Sequence, residues 1–223
     1  MLNDEFRVGD VLRISCPFTD AQVTGVSSSD VSIRWPWWRR DPDTEWIEWN
    51  GDVAVARGPG TYGWADELFR TEPSAELLRA GMPCRVGIPP TVVHVIEVQS
   101  FDPPLETGRL PRPHREIVVL PRGVPVDPDA IEQGNGINPD DDIPMAFDLV
   151  FRPYSFLRLG DDVVDRDGRA WRFDGPWDWH AYDERSGIPA WPLQLMADGG
   201  GLVPATATGS HQSEIARWRS AAL

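Results

Sequence analysis

The sequence predicts a mainly β protein built from small barrel or sandwich units, with long loops and a few short helices. Three observations predict it. Apolar residues recur at a period of two in short runs rather than at the helical period. Turn formers separate those runs, with 22 prolines and 20 glycines in 223 residues. Gly-Asp also stands twice before an apolar strand, in RVGDVLRI (7–14) and RLGDDVVD (158–165), a hint of internal repetition.

Residues 1–122 read as an N-terminal β-rich domain with short helices. In DVSIRWPWW, Val31, Ile33 and Trp35 fall on one face of a strand, and Ser32 and Arg34 on the other. TEWIEWNGDVAVAR sets Asn50-Gly51 between apolar runs, the pattern of a two-residue hairpin tip. The stretch 62–80 reads as two short helical pieces, with Pro73 in a first turn and Gly81 just past an end. TVVHVIEV (91–98) is apolar on both faces, as a buried strand is. REIVVLPR (115–122) is a further strand, ended by Pro121.

The composition then shifts. Residues 123–145 form a loop rich in Pro, Gly and Asp, with room for one helical turn after Asp127. Seven acids lie between Asp127 and Asp148, and no arginine lies among them. Packed together they would repel one another, so Asp140, Asp141 and Asp142 are expected to face solvent or a channel. Residues 146–197 read as a small C-terminal β-barrel of short strands with a hairpin turn at Asp167-Gly168. Trp171 and Phe173 share its inward face, and Trp177, Trp179 and Trp191 are expected to brace the loop and strand that close it. Residues 198–223 read as a flexible tail ending in a short helix capped by Ser213. Ile215, Trp218 and Ala222 fall on one stripe with nothing local to cover it. Ile215 and Trp218 are therefore expected to dock on another subunit.

Charge and motifs narrow the function. The formal net charge of −14 argues against a surface that grips DNA phosphates, though not against one that DNA slides past. All 21 basic residues are arginine, which suggests a GC-rich genome. The opening residues lack the basic and apolar regions of a signal peptide, and no apolar run spans a membrane, so a cytosolic chain without a membrane partner is expected. Cys16 and Cys84 lack metal-ligand spacing and read as buried thiols. No nucleophile–base or metal motif stands out, so neither enzyme activity nor a cofactor is expected. Asp178 and His180 would share one side of a strand, as a ligand or general-base pair does, but a polar pair on an exposed loop edge is the commoner origin of such a pattern. WPWWRR (35–40) could stack single-stranded nucleic acid, although core packing is the commoner use of such residues. Asp140–Asp142 lack the alternating spacing of a calcium loop.

From about residue 115 to 197 the chain resembles the head-to-tail stopper, or head-closure, proteins of long-tailed phages. VVLPR looks like the family's early strand, and the acidic loop follows where the family has a long loop. FDLVFRPYSFLRLGDDVVDRDGRAWRFDGP looks like its central signature: strand, proline turn, Gly-Asp, hairpin, aromatic strand. WDWHAYDERSGIPAWPLQL looks like its closing segment. The family is usually one small domain, whereas here about 110 residues precede the match and a tail follows it. The resemblance implies an SH3-like barrel in a virion component assembled in the host cytoplasm. It also implies a homo-oligomeric ring that contacts portal, adaptor and tail proteins and lets DNA pass without specific binding. The competing expectations are an SH3-like interaction module, such as an immunity or accessory protein, and an enzyme using the Asp178/His180 region.

Overall fold

The computed structural model describes residues 6–45, 50–58, 68–131, 133–197, 201–206 and 209–223. The described residues are mainly β. In chain order the strands are β1 Val11–Val26, β2 Asp30–Arg34, β3 Arg39–Arg40, β4 Asp52–Ala56, β5 Arg70–Glu72, β6 Pro83–Ser100, β7 Arg109–Leu110, β8 Arg115–Pro121, β9 Asn135–Ile137 and β10 Ala146–Phe151. They continue with β11 Asp162–Val164, β12 Ala170–Gly175, β13 Asp178–Ala181, β14 Leu193–Met196 and β15 Leu202–Thr206, followed by helix α1, His211–Ala222.

Two long strands organise the first sheet. β1 and β6 run antiparallel from Val11↔His94 to Gln22↔Pro83. The pairing slips near Cys16, and such bulges bend a strand and deepen its twist. Each strand therefore changes partners along its length. β1 pairs with β10 at its start and β2 at its end; β6 pairs with β5 at its start and β8 at its end. Gly87 lets the two backbones approach, because a Cβ there would lie 2.8 Å from the Cys16 carbonyl oxygen. The curled sheet encloses two adjoining apolar clusters. Leu12, Ile14, Val93, Val95, Ile117 and Val119 belong to one, and Val23, Val31, Ile33, Trp35 and Val86 to the other. Trp37, Phe69 and Ile143 pack against both.

The second sheet has the order β13-β12-β11-β14-β15. It closes over Tyr154, Leu157, Val163, Trp171, Phe173 and Ala181. Its hairpin turns at Asp167-Gly168, where Gly168 has φ +80°. Asp165 organises that turn. Its carboxylate accepts from the backbone amides of Asp167, Arg169 and Ala190 and from the Trp171 indole, all within 3.1 Å. Burial by itself would raise the Asp165 pKa, but these donors outweigh it and hold the carboxyl below its usual range.

Several expectations are corrected. The first sheet does not end at 122: β9 pairs with β8, and β10 pairs with β1, so 123–145 contributes a strand and 146–151 belongs to the larger sheet. Ile14↔Phe147 puts Phe147 against the first core, which ties β10 to that sheet, while Leu149 and Val150 stay exposed. β4 pairs with β2, from Arg34↔Asp52 to Asp30↔Ala56; Asn50-Gly51 leads into that ladder, and residues 46–49 lie outside the described residues. Of the expected helical stretch 62–80, residues 62–67 also lie outside them, and the rest holds one 3-10 turn, Ala75–Leu77. The tail is part of the fold. β15 extends the second sheet, and α1 is capped by Ser210, whose side chain accepts from Ser213 N while Ser213 Oγ accepts from Ser210 N.

Helix α1 joins the two sheets. Its inward residues are Glu214, Trp218 and Ala222, spaced by four, with Ile215 half-buried at the flank. Glu214 is buried because it accepts from Tyr154 N at 3.1 Å and from Arg217 at 2.9 Å. His211 bridges the Pro189 carbonyl and the Tyr154 hydroxyl, each at 2.7 Å. The Gly123 amide and Arg122 guanidinium donate to the Ala222 and Ser220 carbonyls at the helix's far end.

Candidate functional site

A broad concavity lies where the first sheet, the second sheet and α1 meet. Its floor is the outer face of β6, β8 and β9. Alternation puts Glu116 and Val118 of β8 on that face while Ile117 and Val119 point into the core, and beyond the bulge that follows Val95 it puts Glu97 and Gln99 of β6 there while Val98 packs on the core. The register aligns Glu97 with Val118 and Gln99 with Glu116. β6 slips between Val95 and Glu97, and this bulge brings Ile96 to the groove as well. Gly136 keeps the floor open, since any Cβ there would collide with the Glu116 carboxylate.

One wall is the loop carrying Val126, Ala130 and Ile131. It is held by a two-way clamp: Gln133 accepts from Asp127 N at 2.9 Å and donates to Asp127 O at 3.1 Å. Val126 and the wholly exposed Ile131 sit on it without apolar cover. The other wall is Trp177 and Trp218 with Val8 and Gly9. The groove has a volume of about 860 Å³, within the range of ligand pockets.

His94 lies at the helix end of this groove. It is fully buried, its two ring nitrogens have no hydrogen-bond partner, and the Trp218 ring crosses it edge-on at 5.5 Å. Burial pushes its pKa down, so the imidazole is neutral near pH 7. Trp218 is fixed by its indole N–H to the Gly9 carbonyl at 2.9 Å and by Trp177 at 5.4 Å. Among the described residues, the carboxylates that line the groove are Glu97, which accepts from Gln99 at 2.7 Å, and Glu116.

The expected site residues fall elsewhere or take other roles. Asp140 and Asp142 are exposed to solvent as expected, whereas the Asp141 side chain is buried, and all three are paired with arginines. Asp140 makes a two-pronged pair with Arg115 at 2.7 and 2.9 Å, Asp141 pairs with Arg109 at 3.2 Å, and Asp142 pairs with Arg39. The Asp141 side chain is only 6% exposed; burial, only partly offset by Arg109, raises its pKa. The arginines come from β8, β7 and β3, so the segment's own lack of arginine said nothing about its neighbours. Ile215 and Trp218 are likewise corrected: they dock on their own chain, because the sheet junction provides the cover that the local sequence lacks.

The aromatic residues divide. Trp171 and Phe173 are buried in the second core. Trp179 packs on Phe173 and Tyr154, and Trp191 on Phe156 and His211. Trp177 does not brace that core; it is 47% exposed and belongs to the groove wall. Asp178 and His180 are exposed on edge strand β13, His180 against Tyr182. Among the described residues, no three or more His, Cys, Asp or Glu side chains are grouped to hold a metal ion. In WPWWRR, Trp35 is buried and Arg39 is paired, so neither presents a stacking surface. Cys16 and Cys84 are buried free thiols, and burial pushes Cys16 up to about 11. No helix among the described residues is long and apolar enough to cross a membrane.

The groove escaped sequence reading because β6, β8, the 126–134 loop, Trp177 and Trp218 come from five separate places in the chain. The local signal was a polar His94 within the apolar run Val92–Ile96. No family model, curated protein or solved structure matches the chain.

Proposed function

We propose that the chain is a structural component of a phage head–tail joint, a stopper or connector subunit that closes or gates the DNA exit channel and docks the tail. One observation carries the reading. The segment that resembles the stopper signature, from the Gly-Asp turn at 160–161 to β14, forms consecutive antiparallel strands around its own aromatic core. A stable unit of that kind can be grafted onto a larger sheet and still present its loops to neighbours.

The corrected residues change how such a subunit would work. Asp140–Asp142 are neutralised by arginines, so they do not supply a repulsive channel lining. α1 closes on its own chain, so it does not reach a neighbour. Subunit contacts then fall to exposed apolar side chains such as Leu149, Val150, Met196, Leu202 and Val203. The self-contained helix also favours a second reading, a monomeric interaction module without catalysis.

Removing the gene from the phage genome that carries it should yield DNA-filled heads without tails, with the protein labelled at the joint of complemented particles. Particles of normal form and infectivity after removal would overturn the reading. A monomer by light scattering that binds one partner outside virions would establish the second one.

A further inference from the structure

We propose that the groove between the sheets is a docking site for an extended, arginine- or lysine-bearing segment of a partner protein. The inference stands apart from the head–tail reading, since it concerns what the groove binds rather than where the protein works.

Charge complementarity selects a basic occupant. Glu97 stands exposed on the floor, where it accepts from the neutral Gln99 amide at 2.7 Å, and the chain carries a net charge of −14. The walls add a second selection. Trp177 leaves nearly half its surface open, and an indole face attracts a guanidinium or ammonium as well as its aliphatic stem. Val118, Val126 and Ile131 offer apolar contacts between the charged positions. A segment that alternates basic and apolar residues matches this pattern better than an acidic peptide, a nucleic acid or an anionic lipid surface.

His94 supplies the independent sign of a ligand. A polar ring buried without a hydrogen bond is costly unless something pairs with it. The Trp218 ring lies edge-on against it, held by the indole bond to the Gly9 carbonyl and by contact with Trp177. A peptide entering at that end brings main-chain amides, which an isolated cation lacks. Displacement of Trp218 would give His94 a donor to accept from.

The test uses the full chain and synthetic peptides. Acetyl-Val-Arg-Val-Arg-Val-amide, its counterpart with Glu for Arg, and arginine amide alone are titrated by calorimetry and tryptophan fluorescence. The basic peptide should bind about tenfold more tightly than the acidic one, and more weakly as salt rises. E97Q/E116Q should weaken it about fivefold or more while leaving the thermal midpoint in place, and W177A should weaken it by a similar factor when measured well below its own midpoint. If E116Q disturbs folding, E97Q alone carries the charge test, because Glu97 is exposed. Equal binding of both peptides, unchanged affinity in the variants, or arginine amide binding as tightly as the basic peptide would each overturn the proposal. So would self-association of the chain that blocks the peptide, which would assign the groove to a second copy.

Discussion

The two Gly-Asp turns, at 9–10 and 160–161, are built alike and used differently. In each, the aspartate amide donates to the carbonyl three residues back, Arg7 or Arg158, and its carboxylate accepts that residue's amide. In each, the glycine has positive φ, +87° and +85°. In each, the glycine amide donates to a strand carbonyl at 2.8 Å, Val95 or Phe173, and that residue's amide donates back to the aspartate carbonyl. The repetition in sequence is thus a repetition of hydrogen bonding. What differs is the surroundings. Asp10 is fully buried and clamped by Arg152 at 2.6 and 2.7 Å, whereas the turn at Asp161 lies near the surface. A Cβ on Gly9 would lie 3.0 Å from Pro153 and 3.1 Å from Pro176, while one on Gly160 would meet nothing within 4 Å. The same local chemistry starts a strand in both places, and in the first it also fastens the two sheets together.

The largest expected effect breaks that asymmetry directly. Asp10→Asn removes the buried carboxylate that the mostly buried Arg152 guanidinium clamps and should cost about 3 kcal/mol. Asp161→Asn loses one charge-assisted hydrogen bond near the surface and should cost about 1–2 kcal/mol. Urea unfolding of both variants checks the contrast, and equal losses would show that the clamp adds nothing to the turn.

Next comes the helix that covers the first turn. Trp218→Ala removes a half-buried indole and the donor to the Gly9 carbonyl, and should destabilise the single chain by about 2–3 kcal/mol. Thermal unfolding of a dilute sample, where association cannot contribute, is the measurement. An unchanged midpoint would mean that α1 does not hold the sheets together.

The glycines give a smaller contrast. Gly160→Ala should cost about 1 kcal/mol, from positive φ alone. Gly9→Ala should cost about 1 kcal/mol more, because Pro153 and Pro176 must also give way. Equal midpoints for the two variants would show that the prolines move freely.

The smallest effect is in pH. Burial lowers the His94 pKa, so the folded state binds fewer protons than the unfolded one, and stability rises with pH in that window. The contribution is complete above the unfolded value of about 6.5 and is lost as pH falls toward the depressed folded value. His211, depressed by burial against the Pro189 carbonyl and Glu214, acts in the same direction. His94→Leu should flatten the acid limb of a stability–pH curve while leaving the part due to His211. An unaltered slope would show that His94 is hydrated.

Local pattern reached the strands at 91–98 and 115–121, the Asp167-Gly168 hairpin and the inward Trp171 and Phe173. Each follows from alternation or turn chemistry within a few residues, which the backbone obeys wherever the segment is placed. The same reading missed Asp165 as the hub of the second turn, because a carboxylate's donors are identified only when the chain folds back on it.

The sequence by itself determined the β class, the two Gly-Asp turns and the apolar stripe of the last helix. Tertiary structure decided what each of these faces. Asp140, Asp141 and Asp142 became ion pairs within the chain because β8, β7 and β3 bring arginines from 25, 32 and 103 residues away. The helix became a bracket between sheets because Gly9, His94 and Trp177 converge where Trp218 lands. Charge and hydrophobicity are properties of residues, but neutralisation and burial are properties of neighbours. In a β protein most neighbours come from distant strands, so they exist only once the sheets have formed.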